Sequence, residues 1–287
     1  MRSVFRLISI ILSGFLFATG TQFLTIPSNG LELSIGSNTV YKNSINPASI
    51  TANKSGLFLD MSHGSWLADS KISSLLMLFP GDKAHFGVNL KYVEIDDLEL
   101  RGETPTDEPL ATYGANGFAL GAVGSWDMLG MKIGAAFRWV RINLYTENSN
   151  GFSVDIGLIK QLSSKLKVGA AILNMGKMSI LKSEEPKLPN RALASASYLF
   201  SAREFSNEFT LGGEISTLVN GFILHTSNET NWHNLTLRQS SKLSKEVTEI
   251  SFGAGFRFGI YNLNYGILIG SHGLGIPQML DLTIYFP

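Results

Sequence analysis

Cysteine is absent from all 287 residues. That excludes a disulfide framework, a thiolate metal site, a cysteine nucleophile and a lipid anchor on cysteine. Charge is scarce as well. Charged residues make up 16% of the chain, against roughly 25% in soluble domains. The charge present cancels, 23 basic against 23 acidic, so no net field favours nucleic acid, which is not an expected partner. Beyond the first twenty residues there is no long apolar run. A spanning helix needs about 20 such residues, so any membrane crossing by the rest of the chain must be made by strands. The five histidines, His63, His85, His225, His233 and His272, form no H-x-x-x-H or H-E-x-x-H spacing, and there is no G-x-S-x-G elbow. No metal, cofactor or catalytic residue is expected, and the chain reads as a non-enzyme.

What is present begins with a leader. Arg2 and Arg6 precede an apolar core, Leu7 to Phe17, and the small-x-small site Ala18-Thr19-Gly20. Residues 1–20 are expected to be a signal peptide, which exports the rest.

From about residue 56 onward, apolar and small or polar residues alternate with period two, the mark of strands with two different faces. Phe86, Val88, Leu90 and Tyr92 alternate with His85, Gly87, Asn89 and Lys91. Ile250, Phe252, Ala254, Phe256 and Phe258 alternate with Ser251, Gly253, Gly255 and Arg257. Fourteen such segments are expected: 56–62, 70–80, 83–95, 115–126, 130–142, 151–162, 165–174, 190–201, 207–217, 221–228, 231–240, 247–258, 260–270 and 279–286. Segments two, ten and eleven alternate least. Many are about ten residues long, which a tilted strand needs to cross a bilayer, and the even number suits a bacterial barrel.

Short links (Pro80-Gly81-Asp82, Asp127-Met128-Leu129, Ser163-Ser164, Gly259) alternate with longer ones over 96–114, 143–150, 175–189 and 271–278. Periplasmic turns and extracellular loops alternate in this way, whereas a soluble sandwich has no reason to. The non-apolar parity is dominated by Gly, Ala, Ser and Asn, as a crowded lumen requires. The expected fold is all-β: a transmembrane antiparallel β-barrel of about fourteen strands over 56–287, in the outer membrane and in contact with its lipid. Trp66, Trp126, Trp139 and Trp232 lie near strand ends and are expected in interfacial girdles.

Residues 21–55 do not alternate, and Phe23, Leu24, Ile26, Leu31, Leu33 and Ile35 give them apolar groups to bury. They are expected to fold into the lumen as a hatch or plug. Seven charges fall on the lumen parity: Lys91, Lys132, Arg138, Asp155, Glu214, Arg238 and Arg257. Ion pairing across a closed lumen is the expected use, with a polar conduit as the alternative. The acidic stretch Asp96, Asp97, Glu99, Glu103, Asp107 and Glu108 is read as a solvated loop.

Several short motifs resemble the PorV/PorQ family of outer-membrane proteins, within the wider FadL-like barrel class. They are Gln22-Phe23-Leu24-Thr25-Ile26-Pro27, Asn46-Pro47-Ala48-Ser49, Ser65-Trp66-Leu67-Ala68-Asp69, Asp155-Ile156-Gly157-Leu158, Asn174-Met175-Gly176 and Leu188-Pro189. Their order carries the resemblance, which spans nearly all of 21–287. It implies a fourteen-strand barrel with an N-terminal hatch in which Asn46, Pro47 and Ala48 form the hatch motif. It also implies a non-enzymatic role in type IX-like protein secretion or surface attachment, with secretion-system proteins or cargo as partners. The alternative is a FadL-type conduit for hydrophobic small molecules. Asn29-Gly30-Leu31-Glu32-Leu33 stands where the family has Gly-Ala-Arg.

Overall fold

The computed structural model describes residues 20–52, 56–81, 83–101, 107–202, 204–270 and 275–287. Apart from Gly20, the expected leader lies outside the described residues, as do Glu103 and His272.

Fourteen strands follow one another along the chain. The first seven are β1 (Phe58–Ser65), β2 (Lys71–Phe79), β3 (Ala84–Leu100), β4 (Ala111–Met128), β5 (Met131–Leu144), β6 (Glu147–Gln161) and β7 (Leu166–Met178). The rest are β8 (Arg191–Ala202), β9 (Phe205–Ser216), β10 (Phe222–Trp232), β11 (Leu235–Leu243), β12 (Thr248–Phe258), β13 (Tyr261–Gly270) and β14 (Gln278–Tyr285). Each pairs antiparallel with its chain neighbours, and β1 closes on β14 with Phe58 opposite Tyr285 and Ser65 opposite Gln278. Closure leaves no free edge, the condition a sheet must meet in hydrocarbon.

One parity of each strand faces out and is greasy. Phe86, Phe137, Ile156, Phe256 and Ile269 are all about half exposed, a pattern that water would not tolerate over so large a surface. The turns at the end bearing Phe58 and Tyr285 are tight. Leu129 and Gly130 join β4 to β5 with φ of 54° and 72°, the mirror-image turn that suits twisted hairpins.

The opposite end departs from expectation. The link expected over 143–150 is a two-residue hairpin, because β5 and β6 stay paired up to Leu144 opposite Glu147. β3 and β4 likewise run into the expected 96–114 loop, with a bulge between Ile95 and Leu98. Outward residues here are polar, such as Arg141, whose Nε donates to Asn143 (3.1 Å). Strand pairing outlasts the apolar belt, so hydrophobic alternation stops before the strands do.

The hydrophobic core is the lumen itself, occupied by residues 20–52. They form a 3-10 turn (Gly20–Thr25), a short helix α1 (Gly30–Ile35) and a second 3-10 turn (Pro47–Ser49). At the start of α1, the Asn29 side chain accepts from the Glu32 amide (2.8 Å) and Glu32 accepts from the Ser28 amide (2.7 Å), a reciprocal cap. Gly36, with φ of 64°, ends the helix. Phe23 and Leu33 are buried against Ile72, Val93, Val140 and Ile142 from the barrel wall. The inward parity thus carries large apolar groups beneath Phe23 and Leu33.

Trp66 corrects an expectation. It lies outside any girdle and packs on the cluster around Phe23 and Leu33. Ala68 and Asp69, both at positive φ, turn the chain after β1 so that the indole folds over the lumen. Trp126 and Trp232 do sit on the outer wall, edge-on to Phe86 and stacked on Phe205.

Candidate functional site

The Asn46-Pro47-Ala48 turn is buried and bonded both to the N-terminal segment and to the wall. Pro47 supplies the fixed φ of a turn's first position, and Asn46 caps it, its Oδ1 accepting from the Ala48 amide (2.9 Å). The Asn46 amide donates to Thr39 O (2.7 Å) and to Leu158 O of β6 (3.2 Å). Neither Asn46 nor Ala48 has any exposed surface. Beneath them lie Gly134 of β5 and Gly157 of β6, which are register partners. A Cβ on Gly157 would stand 1.8 Å from Asn46 Oδ1, and one on Gly134 would stand 2.2 Å from the Ala48 nitrogen.

The helix has a similar seat. Gly253 and Gly266 face each other across β12 and β13, and the Gly30 carbonyl and Ser34 side chain fill the space where Cβ atoms would lie. Asp281 accepts from the Leu31 amide (3.1 Å) and from Asn264 (2.6 Å). Asp60 accepts from Asn29 (2.7 Å) and from Thr283 (2.7 Å). Two buried carboxylates therefore meet the N-terminal turn of α1, where unpaired amides point outward.

The seven charges expected in the lumen all face it. Lys91 donates to the carbonyl of Ile26, and Lys132 to Thr51 (3.2 Å). Glu214 takes both arms of Arg191 (2.6 and 2.7 Å) and His225 Nε2 (2.8 Å), while Arg191 also donates to Ser37 (2.6 Å). Arg238 donates to Glu229 (2.8 Å) and Asn264 (3.0 Å), and Tyr41 donates to the same Glu229. Arg138 pairs with Asp155, whose other oxygen accepts from the Asn174 amide (2.7 Å). Arg257 lies over the Tyr285 ring, 5.3 Å from its centroid. Lys91 and Lys132 touch the N-terminal segment directly. Glu214 and Arg238 reach it through Arg191 and through Glu229.

Sequence reading missed Asp60, Asp281, Arg191, His225 and Glu229, which share the inward parity of the seven. That parity was the available signal for Asp60, Asp281 and Arg191, whereas His225 and Glu229 sit on β10 among polar neighbours on both faces. Asp155, Asn174 and Pro189, drawn from three separate motifs, form one chain of contacts, because Asn174 Nδ2 also donates to Pro189 O (3.1 Å).

Two titratable groups of the segment are perturbed. Burial pushes the Tyr41 phenol well above its ordinary value, with Arg238 opposing, so it remains a neutral donor. Partial desolvation, then Lys132 and Arg257, lower the pKa of Lys42.

Above these contacts a cavity of about 330 Å³ remains in the lumen. Leu24, Ile26, Leu33 and Trp66 line it on one side, with Lys91 and Arg138 among its polar walls. Its lining mixes these apolar groups with side chains already engaged in ion pairs, among them Arg138 with Asp155 and Arg191 with Glu214.

The same architecture occurs among solved structures. The toluene transporter TodX of Pseudomonas putida matches with a TM-score of 0.61 at 12% identity, covering 90% of this chain and 97% of its own. The deltaS2S3 mutant of TodX, a monoaromatic hydrocarbon channel, gives a TM-score of 0.63 at 13% identity, covering 91% and 100%. This chain is a closed antiparallel β-barrel of fourteen strands, the fold of these outer-membrane proteins. At such identities the likeness is one of fold. No protein-family model matches the chain, and no curated protein does.

Proposed function

We propose that this barrel is a conduit for hydrophobic small molecules across the outer membrane, with residues 21–55 as its hatch and Asn46, Pro47 and Ala48 as the hatch's anchor. The observation that carries this reading is the cavity between the N-terminal segment and the wall. Its volume of about 330 Å³ lies at the small end of ligand sites, which run from about 300 to 1,000 Å³. Leu24, Ile26 and Trp66, each only partly buried, offer apolar surface to a guest, and the buried polar groups around them are already paired with one another. A guest without hydrogen-bonding groups leaves none of those pairs broken, whereas a polar one would have to compete with them. The fold shared with a toluene transporter and monoaromatic hydrocarbon channel supports the same reading. The secretion-linked role implied by the motif order has no comparable support from the lumen or from the fold comparisons, and it ranks second.

Binding tests the proposal in purified protein. Toluene added to the detergent-solubilised barrel should quench or shift tryptophan emission through Trp66, and Ile26→Trp, at a half-buried lining position, should fill the cavity and abolish saturable binding. An emission change that neither saturates nor responds to Trp66→Phe would contradict the cavity as a binding site.

A further inference from the structure

The outer wall is not apolar everywhere. Along β3 to β6 its outward residues include Val88, Leu120, Phe137 and Ile156. On β9 to β11 the same parity carries Asn207, Thr226, Asn228, Thr230, Gln239 and Ser241. Asn228 stands opposite Gln239, Thr226 opposite Ser241, and Asn207 opposite Thr230, so the six form one patch.

Its height in the wall matters. Gln239 is the middle residue of the nine in β11. Phe205 stacked on Trp232 bounds the patch at one end, and exposed Phe222 and Leu243 bound it at the other. The patch therefore lies within the apolar belt, where lipid offers no hydrogen-bond partners. Part of it is satisfied internally. Asn207 and Asn228 exchange amide hydrogen bonds (3.1 and 2.9 Å), Asn207 donates to Thr230 (2.8 Å), and Thr226 pairs with Ser241 (2.8 Å). Among the described residues Gln239 is exposed and its amide has no partner.

A polar neighbour is needed to cover that amide, and the patch indicates which. All six side chains are neutral, and each hydroxyl or amide both donates and accepts. No charge calls for a partner of opposite sign. Such a surface complements a copy of itself turned by a half rotation, the isologous contact of a two-fold dimer. Uncharged polar side chains also serve to join protein segments in lipid. On the flanking strand β8, outward Ala192, Ala194 and Ala196 leave room for a second wall to approach. We infer that two copies of this chain pair in the membrane through β9 to β11, with Gln239 of each copy bonding across the axis.

The absence of native cysteine makes the test direct. In isolated outer membranes treated with a mild oxidant, Gln239→Cys should give a disulfide-linked dimer. Leu120→Cys, on the far wall, should not. No more dimer from Gln239→Cys than from Leu120→Cys would overturn the inference, and so would linkage to a different protein. As a second measurement, the mass of the full chain in mild detergent should be that of two copies. The pair Asn228→Leu and Gln239→Leu should halve it, with the heat-sensitive gel mobility of a folded barrel retained. A wild-type monomer, or a dimer that persists in the folded double variant, would also overturn it.

Discussion

Gly134 stands opposite Gly157 on the lumen side of β5 and β6, and together they leave the space that the Asn46-Pro47-Ala48 turn occupies. These two strands are thinned where the turn rests on them. The segment is thus built into the wall, and its seat can be altered without touching the lipid face.

Substituting alanine for Gly157 should disturb that seat. The new methyl would sit 1.8 Å from Asn46 Oδ1, and overpacking of this kind costs about 1–3 kcal/mol. Thermal unfolding in detergent should show the loss, and protease should cut residues 21–55 faster. Combining Gly157→Ala with Asn46→Ala removes the clashing oxygen, so the double variant should lose less than the sum of the two single losses.

Glu214 offers a test of the lumen charges. Glu214→Ala leaves Arg191 buried without its carboxylate, a loss of about 3–5 kcal/mol. Replacing both residues, as Glu214→Leu with Arg191→Met, should cost far less, because no charge is left stranded. Equal losses from the single and paired changes would show that the pair contributes only its packing.

The sequence made the barrel legible because outward residues obey one simple rule, and fourteen segments became fourteen strands, with β3, β4, β6, β7 and β10 each running four or five residues past the expected bounds. β2 was harder to read for a physical reason. Ile72 and Leu78 face inward against the N-terminal segment and its surroundings while Leu75 and Met77 face lipid, so both parities are greasy. β10 is the reverse case, with Thr226 and Asn228 outward and Ser227 and Glu229 inward, so both parities are polar. Alternation reports only a contrast between two faces, and these strands have little. The site was legible as a set of inward charges, but their partners were not. Asp281 meets the Leu31 amide across 250 positions of sequence, and no local pattern encodes such a meeting.

Lys42 gives the segment a pH dependence. Desolvation, then Lys132 and Arg257, lower its pKa from 10.5. A lowered lysine pKa penalises the folded state at neutral pH, and the penalty fades as pH rises through the folded-state pKa toward the free value. Lys42→Gln should therefore melt higher than wild type at pH 7, and the gap should close as pH approaches that free value. A gap that stays constant across the range would contradict the assignment.

The conduit itself is tested most directly by uptake. Cells lacking the barrel should take up a radiolabelled monoaromatic hydrocarbon more slowly than cells expressing it. The Ile26→Trp variant, at equal abundance in the outer membrane, should match the deletion. Equal initial rates in the deletion, wild-type and Ile26→Trp strains would contradict the account.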